Sequence, residues 1–123
     1  MADIDRTVAD LLGVSVAGTT PVGGGDVAEA FRVVLDDGVT VFAKTHRTAP
    51  PGFFVTEAAG LGWLREADAV PVPDVLAVGD HPAVLVLAWV DPGRPHAGTE
   101  ADLGRALAEL HRAGAPCFGR QDR

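Results

Sequence analysis

Two β-prone runs, Val27 to Leu35 and Val39 to His46, are separated only by Asp36-Asp37-Gly38. An acidic pair followed by glycine suits a hairpin, because such turns need positive φ and glycine adopts it without a Cβ clash. Within the first run Glu29, Phe31, Val33 and Leu35 share one face by period-two alternation. The hairpin therefore sets two adjacent antiparallel strands. Upstream, Val14 to Val22 is also β-prone and ends at Gly23-Gly24-Gly25. Three antiparallel strands are predicted before residue 47. A Rossmann fold, which alternates strand and helix, is disfavoured by this order.

The flanking segments complete an α+β pattern. Ile4, Val8, Leu11 and Leu12 fall at helical spacing and Gly13 stands where a C-terminal cap would. Pro50-Pro51-Gly52 breaks the sheet, and a helix is predicted from about Phe53 to Ala67. Val70-Pro71-Val72-Pro73 is extended, since each proline disfavours the helical region for the residue before it. Val75 to Val78 and Ala83 to Val90 predict two more strands around a turn at Gly79-Asp80-His81-Pro82. After Asp91-Pro92-Gly93, Thr99-Glu100-Ala101-Asp102 resembles a capping box. Leu103, Ala106, Leu107 and Leu110 then form a helical apolar stripe that stops at Gly114. The expected architecture is a five-stranded antiparallel sheet with one inserted helix, plus short N-terminal and C-terminal helices.

Composition narrows the partners. The chain has 123 residues, 47% of them hydrophobic, enough to bury a core. Its net charge of −7 argues against nucleic acid or an anionic membrane surface, both of which call for Lys/Arg-rich faces. No apolar run reaches membrane-spanning length, and the start, Met1-Ala2-Asp3-Ile4-Asp5, is acidic where a signal peptide is basic. Cys117 is the single cysteine, so an intrachain disulfide or a cysteine-built metal site is excluded. A cytoplasmic setting is expected. Of ten Lys and Arg residues, nine are Arg and only Lys44 is Lys. A lysine kept in such a background points to a position that needs a compact charge rather than a planar fork.

The candidate chemistry gathers around that lysine. Gly23-Gly24-Gly25 lies at a strand-to-strand turn, where backbone N–H groups without side chains can approach phosphate oxygens. It also reads as a plain flexible turn, and neither a P-loop nor the protein-kinase glycine pattern is present. Phe42 and Lys44, two apart in a strand, point to the same face. Glu57 lies on the following helix, with Leu61 and Leu64 at i+4 and i+7 and Gly60 on the same side. A carboxylate on a buried stripe needs a partner, and Lys44 is the obvious one, unless Glu57 lies at the stripe's edge and reaches water. A strand lysine held by a helix glutamate beneath a glycine turn aims an ammonium at nucleotide phosphates. Leu85 to Val90 is a buried strand running into a Pro/Gly linker, as in a kinase hinge and equally as in an ordinary core strand. His111, on the last stripe, is read as a structural hydrogen-bonded histidine. His46, His81 and His96 lack metal-ligand spacing.

As an ordered set these segments resemble the fructosamine kinase (ketosamine kinase) family. The resemblance is carried by Gly23-Gly24-Gly25-Asp26-Val27-Ala28-Glu29-Ala30-Phe31, Val41-Phe42-Ala43-Lys44, Ala49-Pro50-Pro51-Gly52-Phe53 and Glu57-Ala58-Ala59-Gly60-Leu61. Val72-Pro73 with Val75-Leu76, Leu85-Val86-Leu87, Leu103-Gly104 with Leu110-His111, and Phe118-Gly119 extend it. It implies a protein-kinase-like fold shared with aminoglycoside phosphotransferases, ATP and Mg²⁺, and phosphorylation of a sugar hydroxyl on a glycated amine. It also implies that Lys44 and Glu57 form the phosphate-directing pair, that Gly23, Gly24 and Gly25 cover the phosphates, and that Ala88, Trp89 and Val90 form the hinge for adenine.

Two departures qualify the expectation. Ala88 stands where the family usually has an acidic hinge residue. The family's catalytic-loop Asp and metal-binding Asp belong to a second lobe, which is not among these 123 residues. Residues 1–90 are thus expected to be the nucleotide-binding lobe and 91–123 a linker and first helix toward a second lobe, with no phosphoryl transfer by this chain alone. An exposed lobe face would be apolar and prone to self-association. The alternatives are another kinase-like phosphotransferase of the aminoglycoside or choline type, and a non-catalytic nucleotide-binding module.

Overall fold

The computed structural model describes residues 2–23 and 25–116. It contains α1 (Ala2–Leu12), β1 (Val16–Val22), β2 (Glu29–Leu35), β3 (Thr40–Thr45), α2 (Phe53–Glu66), β4 (Val75–Asp80), β5 (Ala83–Ala88) and α3 (Thr99–Ala113). The strands form one antiparallel sheet in the order β1-β2-β3-β5-β4. Inserting α2 after β3 lets the chain leave the sheet and return one strand further out. β5 then pairs with β3, and β4 takes the edge.

The β2–β3 hairpin forms as its turn chemistry requires. Gly38 has φ +86, its N–H donates to the Leu35 carbonyl at 2.9 Å, and the Val39 N–H donates to Asp37 Oδ1 at 3.0 Å. Phe31, Val33 and Leu35 alternate into the core while Ala30, Arg32 and Val34 face the other way.

The sheet is covered differently on its two faces. On one, Ile4 and Val8 of α1 pack with Phe31, Val33, Leu35, Val41, Ala43, Val84 and Val86. On the other, Phe54 of α2 packs with Leu85 and Leu87, joined by Phe42, Phe53, Ala58 and Leu61. The packed stripe of α2 is therefore Phe54, Ala58 and Leu61. Leu64, expected on the buried stripe, is instead exposed, because that stripe turns away from the sheet in the helix's last turn.

Side-chain anchors hold α2 at both ends. Gly52, at φ +77, is its N-cap, and its N–H donates to Asp80 Oδ1 at 2.8 Å. Arg65 donates to the Val72 carbonyl at 3.1 Å and pairs with Asp74. The register of the helix against the sheet is thereby tied to the residues leading into and out of β4.

α3 differs from the sequence reading in two ways. Its N-cap is Gly98, with no side-chain cap, and Thr99 Oγ1 accepts from the His96 N–H at 2.8 Å instead of capping. None of its residues is buried, and Leu103 and Leu107 are exposed. His111 is exposed too, and its side chain has no hydrogen-bond partner among the described residues, on a helix with no buried residue.

Candidate functional site

The face that carries α2 also carries Lys44. Direct partners across antiparallel strands share a face. Ala30 pairs with Lys44 and Lys44 with Leu85, making one row across the sheet; Arg32 pairs with Phe42 and Phe42 with Leu87, making the next. The rows are two residues apart along β3, a step of about 7 Å.

Lys44 and Glu57 meet as the sequence anticipates. Lys44 Nζ donates to Glu57 Oε1 at 2.8 Å and to Oε2 at 3.0 Å. Both side chains are part-exposed, 27% and 36% respectively. The pair sits at the edge of the front core rather than within it. The ammonium also lies 5.8 Å from the Phe54 ring centroid, which adds a cation–π contact from the core side. A lysine ammonium has three donors. Two are held by the carboxylate, leaving one for an anionic oxygen on the open side.

The glycine turn connects β1 to β2. Gly23 and Gly25 are exposed, and Gly24 lies outside the described residues, as do Cys117 and Phe118-Gly119. The two described glycines are not equivalent. A Cβ on Gly25 would lie 2.8 Å from the Ala28 carbonyl oxygen, so the turn itself requires glycine there. A Cβ on Gly23 would meet nothing within 4 Å.

At the other end of the face, β5 runs out through Ala88, Trp89 and Val90. The Ala88 N–H donates to the Asp74 carbonyl at 2.9 Å, so it is not available to a base. Val90 is 66% exposed. Trp89 Nε1 donates to Asp91 Oδ1 at 3.0 Å. Its ring lies 6.2 Å from the Phe42 ring, and the Arg32 guanidinium sits 5.4 Å from its centroid. The sequence names Trp89 as a hinge residue and does not single out Arg32. The signal lay in the alternation of β2, which sets Arg32 opposite Phe42.

A cavity of about 690 Å³ opens elsewhere, between α1 and the ends of β2, β3 and β5, with Asp3, Arg6, Glu29, His46 and Arg47 among its lining. It includes neither Lys44 nor Glu57. Its charged groups are of both signs, and Arg47 pairs with Glu29 at 3.4 Å. The oriented ammonium makes the other face the candidate site. No group of three or more His, Cys, Asp or Glu side chains able to hold a metal occurs among the described residues.

An antiparallel five-stranded sheet with a helix inserted after the third strand, and a strand lysine clamped by that helix's glutamate, defines the smaller lobe of a protein-kinase-like fold. The sequence profile of the family described as Fructosamine kinase matches residues 1–122. The chain belongs to the fructosamine kinase family. It is 39% identical over 102 residues to a protein of Enterococcus faecium named as a probable ketoamine kinase, covering 80% of this chain and 34% of that one. It is 36% identical over 101 residues to the chloroplastic protein-ribulosamine 3-kinase of Arabidopsis thaliana, covering 80% and 30%. A crystal structure described as a putative fructosamine-3-kinase from Thermobifida fusca superimposes with a TM-score of 0.81 at 34% identity, covering 98% of this chain and 42% of that one. The chain spans about a third of the length of the curated relatives it matches.

Proposed function

We propose that this chain is the nucleotide-binding lobe of an ATP-dependent kinase that phosphorylates a sugar hydroxyl on a glycated amine. The observation that carries the reading is the Lys44–Glu57 clamp on the open sheet face, in a member of a family whose named relatives are ketoamine and ribulosamine kinases. Glu57 fixes the ammonium so that its remaining donor meets a phosphate oxygen of ATP. Phosphoryl transfer depends mainly on such positioning and charge stabilisation. The turn between β1 and β2, with Gly23 and Gly25, is assigned to cover the phosphates, as is Gly24, which lies outside the described residues. Ala88, Trp89 and Val90 border the base, with Trp89 and Val90 rather than the Ala88 N–H available for its contacts.

Residues 1–90 form the nucleotide lobe in this reading, and 91–123 lead toward a second lobe. The catalytic base and the ligands of Mg²⁺ are assigned to that lobe, and no metal-held step is assigned to the described residues. The uncovered apolar stripe of α3 supports that division. Without its cover that stripe favours self-association. A cytoplasmic setting fits the single cysteine. Among the described residues no helix is long and apolar enough to cross a membrane.

Titration of ATP against the chain and against Lys44→Ala tests the site. The parent is expected to bind and the variant to lose affinity; equal binding removes Lys44 from its role. Assay of the whole protein on a fructosyl-amine and on an aminoglycoside tests the substrate class. Turnover of the aminoglycoside alone would transfer the protein to the aminoglycoside-type reading.

A further inference from the structure

The helix that carries Glu57 is not capped by its own residues. Gly52, the N-cap of α2, has no side chain to offer, and the first turn contains no acidic residue. N–H groups at a helix start call for an acceptor, and the positive end of the helix dipole favours an anion. Asp80, at the end of β4, supplies both: its Oδ1 accepts from the Gly52 N–H at 2.8 Å, and its side chain is only 31% exposed. Its Oδ2 lies 3.6 Å from Nε2 of the exposed His81. Placement ties this bond to the clamp. Lys44 pairs with Leu85 and Leu85 with Val78, so the three share one row on the α2 face. Asp80 stands two residues beyond Val78 along β4 and faces the same way. Glu57 follows Gly52 by five residues, a rise of about 7.5 Å, and precedes Arg65, at the other anchor, by eight, about 12 Å. The connection therefore runs from Asp80 to Gly52, along α2 to Glu57, and back to Lys44 on β3.

We propose that Asp80 is a positioning residue for the Lys44–Glu57 clamp. The proposal rests on the nucleotide-binding reading above. Through the hydrogen bond it accepts from Gly52, Asp80 fixes the start of α2 against the end of β4, and with it the reach of Glu57 to β3. Among the described residues of α2 only Phe54 is buried. Packing thus pins the helix chiefly at one point, and the Asp80 bond supplies a second on the Glu57 side. Glu57 holds two of the three ammonium donors, so a shift of the helix start releases the ammonium and turns its remaining donor away from the phosphate. Asp80 touches no nucleotide and acts entirely through Glu57.

Lys44 is the only lysine of the chain, so lysine-selective isotope labelling gives one side-chain ammonium signal in NMR, which reports the clamp without any ligand. It is recorded for the chain, Asp80→Ala, Asp80→Leu, Asp80→Asn, Arg65→Ala and Glu57→Ala, beside ATP titrations, with circular dichroism to verify the fold. In Asp80→Ala the ammonium protons should exchange faster with water, approaching the Glu57→Ala rate. ATP affinity should fall about threefold to tenfold, the factor for one lost hydrogen bond. Asp80→Leu fills the same space without an acceptor and should match Asp80→Ala, which separates the lost bond from a cavity. Asp80→Asn keeps an accepting oxygen and should bring both readouts back near the parent's. Arg65→Ala removes the farther anchor and should leave the lysine signal unchanged. A merely structural role would lower stability without moving that signal. The inference is overturned by an unchanged signal in the folded Ala or Leu variant, by an Asn variant that falls as far as they do, by an equal change in Arg65→Ala, or by unfolding of both the Ala and Leu variants. Each of these leaves the nucleotide reading standing. Failure of the parent chain to bind ATP overturns that reading and the role given to Asp80 within it.

Discussion

The two faces of the sheet are built from the same three strands and do opposite things with them. The face under α1 has an apolar centre, with Ile4, Val8, Val33, Val41, Ala43, Val84 and Val86 all buried, and charged groups lie around the cavity at its end. The face under α2 has an apolar centre at Phe54, Leu85 and Leu87, and charged groups on its margins, Lys44 with Glu57 on one side and Arg32 on the other. Each strand contributes to both, because successive side chains alternate. Val41 and Ala43 close one face while Phe42 and Lys44 equip the other. The apolar face anchors the sheet on α1, and the partly solvated face leaves charged groups part-exposed.

The sharpest test of this division is at the apolar centre of the equipped face. Phe54 is fully buried and forms the contact between α2 and the sheet. Phe54→Ala should cost about 3–5 kcal/mol, as large-to-small core changes do, and should displace Glu57 with its helix. Denaturant titration followed by circular dichroism measures it. A loss below about 1 kcal/mol would mean that α2 is held by its end anchors at Gly52 and Arg65 rather than by packing.

Lys44→Ala should reverse that pattern. The clamp is part-exposed, so its removal should change stability by less than about 1 kcal/mol. ATP affinity should fall roughly tenfold to a hundredfold, the range for losing a hydrogen bond to a charged group. Large unfolding with unchanged affinity would make the pair a structural bridge and erase the contrast between the faces. A gentler probe of the opposite face is Ile4→Val. It removes one methylene from the α1 contact and should cost about 0.5–1.5 kcal/mol with no change in nucleotide affinity.

The sheet was legible because its signals are local. The Asp36-Asp37-Gly38 turn, the alternation of Phe31, Val33 and Leu35, and the prolines after Val70 each act within a few residues. The Lys44–Glu57 pair was legible for a related reason: a carboxylate beside an apolar stripe demands a cation, and only one lysine was at hand. What escaped depends on long-range placement. Asp80 looked like an ordinary turn residue, yet it anchors Gly52 across 28 positions of sequence. Arg32 gave no sign of Trp89, since their meeting requires β5 to pair with β3. The last helix was misjudged in the opposite direction. Its stripe has helical spacing, but spacing does not say whether anything lies against it.

That stripe gives the smallest expected effect and the most informative comparison with the two covered faces. α1 and α3 are both amphipathic, yet Ile4 and Val8 of α1 are buried while Leu103 and Leu107 of α3 remain 57% and 40% exposed. A leucine that packs on nothing contributes little to folding. Leu107→Glu should therefore change the unfolding free energy by no more than about 0.5 kcal/mol, as for a surface substitution. It should, however, reduce self-association of the chain in sedimentation velocity, because a carboxylate in an apolar contact must be desolvated without a partner. A destabilisation comparable to that of Ile4→Val would show that the α3 stripe packs against this same chain in solution. No change in either stability or association would mean that the stripe is not a contact surface, and that an apolar helical face here can remain open to water.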